Sequence, residues 1–547
     1  MSTPPPTDPP EHDEGLTGLT AEPVEEGAPM DQTVEEDLAI DEVKTRAVRA
    51  TGGLLTRQVV MRGLDFAGMI VLARVLTPEM FGIFAIVRFV VFFFERFSDF
   101  GLSATLLRKA EAVTEGELRT VFTIQNTIVL LSLAVIWTIA PFVVGHYEAL
   151  GPEHVALVRT LGLGLVLSSL KTIPAVLVQR QLRHEKLAVI DVLEVLVYQV
   201  VTVSLAVAGL GVWALVWGTL SRGVVGVVLV YSIAWWRPMI GFSREAAREI
   251  ASFGVPIQLG SFVTLARDAV VPVFVGTVLG AAAVGFVNWA RTMMGTAVGQ
   301  PLNLMGKVQM RVFGRVQNES GRLTRAIERN IFLGASLVGL SLALLVSLAE
   351  PFVLYVIQPK WLPALPVLYL LGFAFAINVV TNPYVQALKA LGEGWTTFWN
   401  QILNVIGLLG GFAVLNGSTG LLAYGFAFIA SQAFVGIHAS HRLHKHVRPR
   451  WWASAWPPVL ASALAGAVGV LVSRAVPDLF GLFLGGAAVV PAYVIVLGVL
   501  AGDRLGDDVR DIAAAVGGKS PRVSALAERV RSLLHLLHRR PGLSSAA

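Results

Sequence analysis

The heptapeptide Leu76-Thr-Pro-Glu-Met-Phe-Gly82 lies between two long apolar runs, and a degenerate copy, Leu279-Gly-Ala-Ala-Ala-Val-Gly285, lies between two others. The spacing is 203 residues, from 76 to 279, and it also pairs Asp65 with Asp268 and Arg88 with Arg291. Further along, a spacing of 209, from 174 to 383, pairs Pro174 with Pro383, Arg180 with Lys389, Asp191 with Asn400 and Gly211 with Gly420. Small insertions between helices account for the change. Self-similarity on this scale indicates a duplicated bundle of six helices. A unit with an even number of spans re-enters from the same side, so the two copies are parallel and related by an axis along the membrane normal.

The solvent for this bundle follows from composition. Hydrophobic residues make up 54% of the 547 residues and charged residues 15%, where a soluble domain carries roughly 25% charged residues. The mean hydropathy is +0.66, and apolar runs recur from Gly52 to Ala501. A water-soluble globule is excluded. The chain has no cysteine, which removes disulfides, thiolate metal sites and cysteine nucleophiles. No basic segment adjoins an apolar stretch at the N-terminus, so the first spanning helix is expected to direct insertion.

A spanning helix needs about twenty apolar residues. Charges, Gly and Pro divide the chain into about fourteen such segments: 51–75, 81–106, 118–144, 154–179, 187–208, 212–235, 251–277, 283–305, 326–349, 363–388, 395–415, 420–441, 455–475 and 479–501. The expected fold class is therefore an all-α polytopic membrane protein: two parallel six-helix lobes, 44–250 and 251–442, and two extra helices within 443–501. Basic loops around Arg108, Arg183, Arg244, Arg315, Lys389 and Arg448 alternate with loops nearly free of Lys and Arg. That alternation places both termini in the cytoplasm. Residues 1–43 are acidic, lack Lys and Arg, and are too poor in aromatics to fold alone. They form a disordered tail. In 502–547, Leu526, Val530, Leu533, Leu534 and Leu537 recur at helical spacing, which fits an amphipathic helix on the inner leaflet or on the cytoplasmic loops.

Ionisable groups at the bilayer centre cost at least ~2.5–3.5 kcal/mol each, so they normally face a polar cavity or a partner. This chain places Arg57, Arg62, Asp65, Arg88, Glu95, Arg96, Asp99, Lys171, Asp191, Glu194, Arg222, Arg267, Asp268 and Arg291 inside its apolar segments. Arg62 and Asp65 stand three residues apart on one helix and could simply neutralise each other. Their concentration in the first, second, seventh and eighth helices, which the repeat makes equivalent, points instead to a shared cationic cavity. The guanidinium fork matches phosphate oxygens, so Arg62, Arg88, Arg267 and Arg291 are candidates for holding a diphosphate. Asp65, Asp268, Glu95 and Asp99 would balance charge or couple transport to an ion. Asn378, Asn382, Asn400 and Asn404 could bind sugar hydroxyls, although Asn more often joins helices to one another. P-loop, HExxH and nucleophile-elbow patterns are missing, so an enzyme is not expected and neither cofactor nor metal is called for. The basic loops report topology and give no support to nucleic-acid binding.

Leu72-Ala-Arg-Val-Leu-Thr-Pro-Glu-Met-Phe-Gly82, followed by Phe100-Gly101-Leu102, resembles the polysaccharide-transport flippases, the Wzx-type branch of the multidrug/oligosaccharidyl-lipid/polysaccharide exporter superfamily. Ala266-Arg267-Asp268, Gly276, Leu279-Gly280, Val284-Gly285-Phe286 and Ala290-Arg291 are similar to that family's seventh and eighth helices. A proline expected between Lys307 and Phe313 is missing. The resemblance covers roughly Lys44 to Ala501. It implies alternating access and export of undecaprenyl-diphosphate-linked oligosaccharide repeat units across the bacterial inner membrane, for exopolysaccharide, capsule or O-antigen. Membrane lipids, a polysaccharide polymerase and export machinery would be partners. Competing readings are a peptidoglycan lipid II flippase, a multidrug/cation antiporter of the same architecture, and a non-transporting membrane scaffold.

Overall fold

The computed structural model describes residues 60–517 other than 100, 110, 112 and 182, together with 528, 531 and 532. Among these residues there is no strand. The helices are α1 (60–75), α2 (Pro78–Asp99), α3 (Leu102–Arg108), α4 (Glu115–His146), α5 (His154–Gly162), α6 (Gly164–Arg180), α7 (His184–Val207), α8 (Val212–Ile233), α9 (Arg244–Ala269), α10 (Gly276–Met294), α11 (Gln300–Val316), α12 (Ser320–Pro351), α13 (Leu365–Ala390), α14 (Gly394–Thr419), α15 (Leu422–Leu443), α16 (Trp451–Ala475) and α17 (Leu479–Gly517).

Eleven helical runs among the described residues are long and apolar enough to cross a membrane. The run Phe262–Gly299 turns at Gly280, whose φ of 82° and ψ of 175° lie outside helical space, so two expected helices share it. The helix α1 and the charge-bearing α2 occupy the first two expected places. Large apolar side chains such as Leu130, Leu131 and Phe142 are exposed along α4, which is stable only against lipid.

Several boundaries differ from the sequence expectation for identifiable reasons. The helix expected over 81–106 is broken at Gly101, in the left-handed region at φ 71°, and resumes as the short α3. Near Pro272 the seventh helix continues through a π-helical turn, Val270–Val275, because proline removes a backbone donor. The eighth helix runs on through a second π turn, Gly295–Gly299, into α11 and so extends well beyond residue 305. The last spanning helix bends at Ala501, with φ −147° and ψ 31°, and stays helical to Gly517. The 1–43 tail and most of the expected amphipathic helix lie outside the described residues.

The repeat has a direct geometric expression. A Cβ built on Gly82 would lie 1.7 Å from the Ala281 carbonyl oxygen, and one on Gly285 would lie 1.9 Å from that of Pro78. Both pairs obey the spacing of 203, so α2 and α10 cross by a reciprocal, self-complementary contact of the kind that two-fold symmetry produces. Gly211 and Gly420, related by 209, share one backbone conformation: φ 55°, ψ −127° and φ 55°, ψ −123°. The buried apolar core runs from Ala73 through Tyr424 and Ala427 and joins both halves of the chain. The extra helices α16 and α17 pack on α12, where the Tyr493 hydroxyl donates to the Ser336 carbonyl at 2.8 Å.

Candidate functional site

The α2–α10 crossing borders a cavity of about 430 Å³ lined by Phe84, Arg88, Asp268, Asn288, Trp289 and Arg291 among others. Arg88 and Arg291, equivalent in the repeat, thus line one space from opposite halves, and Asp268 is the one carboxylate among its lining residues. Arg88 donates from both terminal nitrogens to Glu95 Oε2 at 3.1 Å, and its guanidinium also lies 5.9 Å from the centre of the Phe92 ring. Arg267 donates to Asp268 Oδ1 from Nη2 at 3.1 Å and from Nε at 3.2 Å.

The first half of the chain has its own cavity, of about 410 Å³, lined by Arg88, Glu95, Lys171, Glu194, Tyr198 and Arg222 among others. Glu194 is buried, 4% exposed. One of its oxygens contacts Lys171 Nζ, and the other accepts from Arg222 Nε at 3.3 Å. Gly226 makes room for this cluster, since a Cβ there would stand 2.1 Å from Glu194 Oε1.

The second half has a cavity of about 390 Å³ with mainly amide walls: Asn378, Asn382, Asn400, Gln401 and Asn404, with Arg267 at one side. Asn378 donates to Gln432 Oε1 at 3.0 Å, and Gln386 donates to Asn382 Oδ1 at 3.2 Å. His438 Nδ1 and Asn400 Oδ1 are 2.7 Å apart. Among the described residues, Asn400 Nδ2 and Asn404 Oδ1 are buried without a hydrogen-bond partner. Such atoms favour a polar occupant.

The end of the bundle that carries residues 76–78 and 279–281 is sealed by aromatic packing. Trp361, fully buried, meets Phe81, Phe286 and Trp289 with ring centres 5.4, 6.2 and 5.7 Å away. Its indole N–H donates to the Ala73 carbonyl at 2.9 Å. Arg74 donates to the Tyr355 carbonyl at 3.2 Å, and Lys360 donates back to the Arg74 carbonyl at 2.8 Å. Between these contacts Gln358 is held at φ 132°, a region costly for a residue with a Cβ.

At the opposite end of α13, Glu393 accepts from Thr396 Oγ1 at 2.6 Å and from Arg442 Nε at 2.9 Å, and His446 Nε2 lies 2.8 Å from its other oxygen. Burial by itself pushes the Glu393 carboxyl up. The hydrogen bonds from Thr396, His446 and Arg442 outweigh it and hold the group at about 2.

Of the residues singled out in the sequence, Arg88, Arg291 and Asp268 are brought together, with Glu95 paired to Arg88. Arg267 turns to the amide cavity, where all four asparagines gather. Asp65 accepts from Gln199 Nε2 at 3.2 Å, and Arg62 is exposed and is not among the residues lining the central cavity. The side chain of Asp99 lies outside the described residues. Lys171, Glu194 and Arg222 stand out in the sequence as intramembrane charges, but their spacing alone does not mark them as one site. Tyr198, Gln432 and His438 were not singled out, and His438, a titratable group within an apolar helix, was the available signal.

The family model described as "Polysaccharide biosynthesis protein" matches residues 71–366. The succinoglycan biosynthesis transport protein ExoT of Rhizobium meliloti (strain 1021) is 25% identical over 371 residues, 66% of this chain and 71% of that protein. The lipopolysaccharide biosynthesis protein WzxC of Escherichia coli (strain K12) is 25% identical over 345 residues, 61% of this chain and 67% of that protein. Among solved structures, the inward closed conformation of the lipid II flippase MurJ superposes with a TM-score of 0.66 at 12% identity, covering 82% of this chain and 99% of MurJ. An inward-facing multidrug-resistance MATE family transporter superposes with a TM-score of 0.54 at 18% identity, covering 72% and 94%. The last two likenesses establish a shared fold.

Proposed function

The chain belongs to the polysaccharide biosynthesis protein family, and from that premise we propose that it is a flippase for polyprenyl-diphosphate-linked oligosaccharides, working by alternating access in a bacterial cytoplasmic membrane. The observation that carries the reading is the meeting of Arg88 and Arg291 across the pseudo-two-fold contact, with one carboxylate, Asp268, beside them. Arg88 is matched by Glu95 and Arg267 by Asp268, so three guanidinium groups stand against two carboxylates, and the surplus positive charge in a space of low dielectric suits a diphosphate. The same surplus disfavours a cationic drug, the cargo of the antiporter reading.

In this reading the glycan extends from the diphosphate into the amide-lined cavity, where Asn400 and Asn404 offer a buried donor and acceptor to sugar hydroxyls. The polyprenyl tail stays in lipid. Rocking of the halves about the Gly82–Gly285 crossing exposes the cavity to each side in turn, and the Trp361 strap closes the outer side. Orientation rests on the basic-loop pattern, which puts the Glu393 end and both termini in the cytoplasm. A polymerase and export machinery would take the product.

The test is export of the surface polymer by strains carrying Arg88→Ala, Arg291→Ala or both. Each single change should lower export roughly tenfold, the scale of one charge-assisted contact, and the double change should leave lipid-linked repeat units accumulating on the inner leaflet. Normal export from the double variant would sink the assignment. Arrest of cell-wall synthesis on depletion, with surface polysaccharide unaffected, would instead make lipid II the cargo.

A further inference from the structure

The cavity of the first half holds more charge than the diphosphate reading uses. Among its lining residues, Arg88, Lys171 and Arg222 face Glu95 and Glu194, and Glu95 is taken up by both terminal nitrogens of Arg88. Of the carboxylates that line the cavity, Glu194 is left to balance two cations. It engages Lys171, which has three donors, and the Nε of Arg222. The end-on fork of the Arg222 guanidinium makes no other hydrogen bond among the described residues, and that side chain, which lines the cavity, is 46% exposed. One cation would have sufficed to neutralise Glu194, and a second in the membrane interior is unfavourable unless an anion compensates it.

The charge is no requirement of the fold. At the spacing of 209, Lys171, Glu194, Arg222 and Gly226 correspond to Val380, Leu403, Ser431 and Val435, and the second half builds the same helices around these apolar and neutral residues.

We propose that this cavity is a subsite for a carboxylate carried by an acidic sugar of the oligosaccharide, gripped by Arg222 and Lys171 and preorganised by Glu194. The inference rests on the flippase reading. The planar fork left free on Arg222 matches two carboxylate oxygens in the bidentate manner, and Glu194 fixes both cations before the ligand arrives, which lowers the entropy lost on binding. A volume of about 410 Å³ falls within the ordinary range of small-ligand cavities, ~300–1,000 Å³. Phe84 and Arg88 line both this cavity and the central one, so the subsite adjoins the place proposed for the diphosphate.

The experiment is calorimetric titration of the full-length protein in nanodiscs with three probes: a tetramer of glucuronic acid, the matching glucose tetramer, and inorganic diphosphate. The acidic tetramer should bind wild type at least roughly tenfold more tightly than the neutral one. Arg222→Gln should remove that preference while leaving diphosphate binding intact, and Arg291→Gln should do the reverse. Arg222→Lys, which keeps the charge and the packing but loses the fork, should recover only part of the preference, and it guards against a fold defect in the Gln variant. Equal binding of the two tetramers, or loss of diphosphate binding in Arg222→Gln, overturns the proposal. Failure of diphosphate to bind wild type would instead count against the flippase reading, whatever the tetramers do.

Discussion

Around Gly226 the first half of the chain packs Lys171, Glu194 and Arg222 into a charged cavity, whereas the second half puts Val380, Leu403, Ser431 and Val435 at the equivalent positions and lines its cavity with asparagine and glutamine. The backbones nevertheless correspond down to the torsions of Gly211 and Gly420. Duplication has thus conserved what lets the helices cross and turn, and has let the polar interior diverge. The contacts shared by both halves serve assembly and rocking; those found in one half serve recognition.

The sharpest way to break this division is to crowd the shared element. Gly82→Leu and Gly285→Leu each force a side chain onto a carbonyl oxygen less than 2 Å away, where nothing flexible can yield. Overpacking ordinarily costs roughly 1–3 kcal/mol, occasionally more, and here backbone must move. Both variants should fail to accumulate in membranes, and to the same degree, as immunoblotting of membrane fractions would show. A mild effect from one alone would mean that the contact is not reciprocal.

Next in size is the charged cluster. Glu194→Gln leaves Lys171 and Arg222 side by side without a counter-charge; stripping one partner from a fully buried ion pair costs about 3–5 kcal/mol, and the partial exposure of both cations reduces that cost here. The thermal midpoint of the purified protein should fall below that of Leu403→Gln, which places the same amide at the equivalent position without removing a counter-charge. Asn400→Ala should do less, about 1 kcal/mol for the lost His438 contact, because Asn400 Nδ2 has no partner to forfeit. Its larger consequence should be weaker export, with only a small fall in melting temperature.

Much of this architecture was legible in the sequence because a bilayer permits few solutions. Apolar length, basic loops and the two spacings sufficed for the helix order, and the pairing of Arg88 with Arg291 anticipated a shared cavity. What could not be read was the facing of each side chain. Arg267 and Asp268 are neighbours in sequence yet line different cavities, because successive residues on a helix point about 100° apart and only packing decides which direction meets which space. Asp65 went to Gln199, 134 residues away. Helix ends were also hidden: Gly101, Gly280 and Ala501 break their helices through torsion angles, and glycine and alanine are too common in such segments to mark those breaks.

The clamp at Glu393 sharpens the comparison by a smaller, pH-dependent effect. Position 184, its equivalent in the first half, is a histidine, so the carboxylate clamp belongs to the second half alone. With its folded value held at about 2 against an ordinary 4.5, Glu393 binds a proton more readily in the unfolded chain than in the folded one. Its contribution is therefore complete above the ordinary value and is lost progressively as the pH falls from there toward 2. Other carboxylates titrate over the same interval, so the informative quantity is the difference between wild type and Glu393→Gln. In detergent that difference in melting temperature should be largest near neutrality and should shrink on acidification, as protonation of Glu393 makes the two proteins alike. A difference that stayed constant with pH would mean that the clamp holds by shape and neutral hydrogen bonds, and that the carboxylate charge contributes nothing.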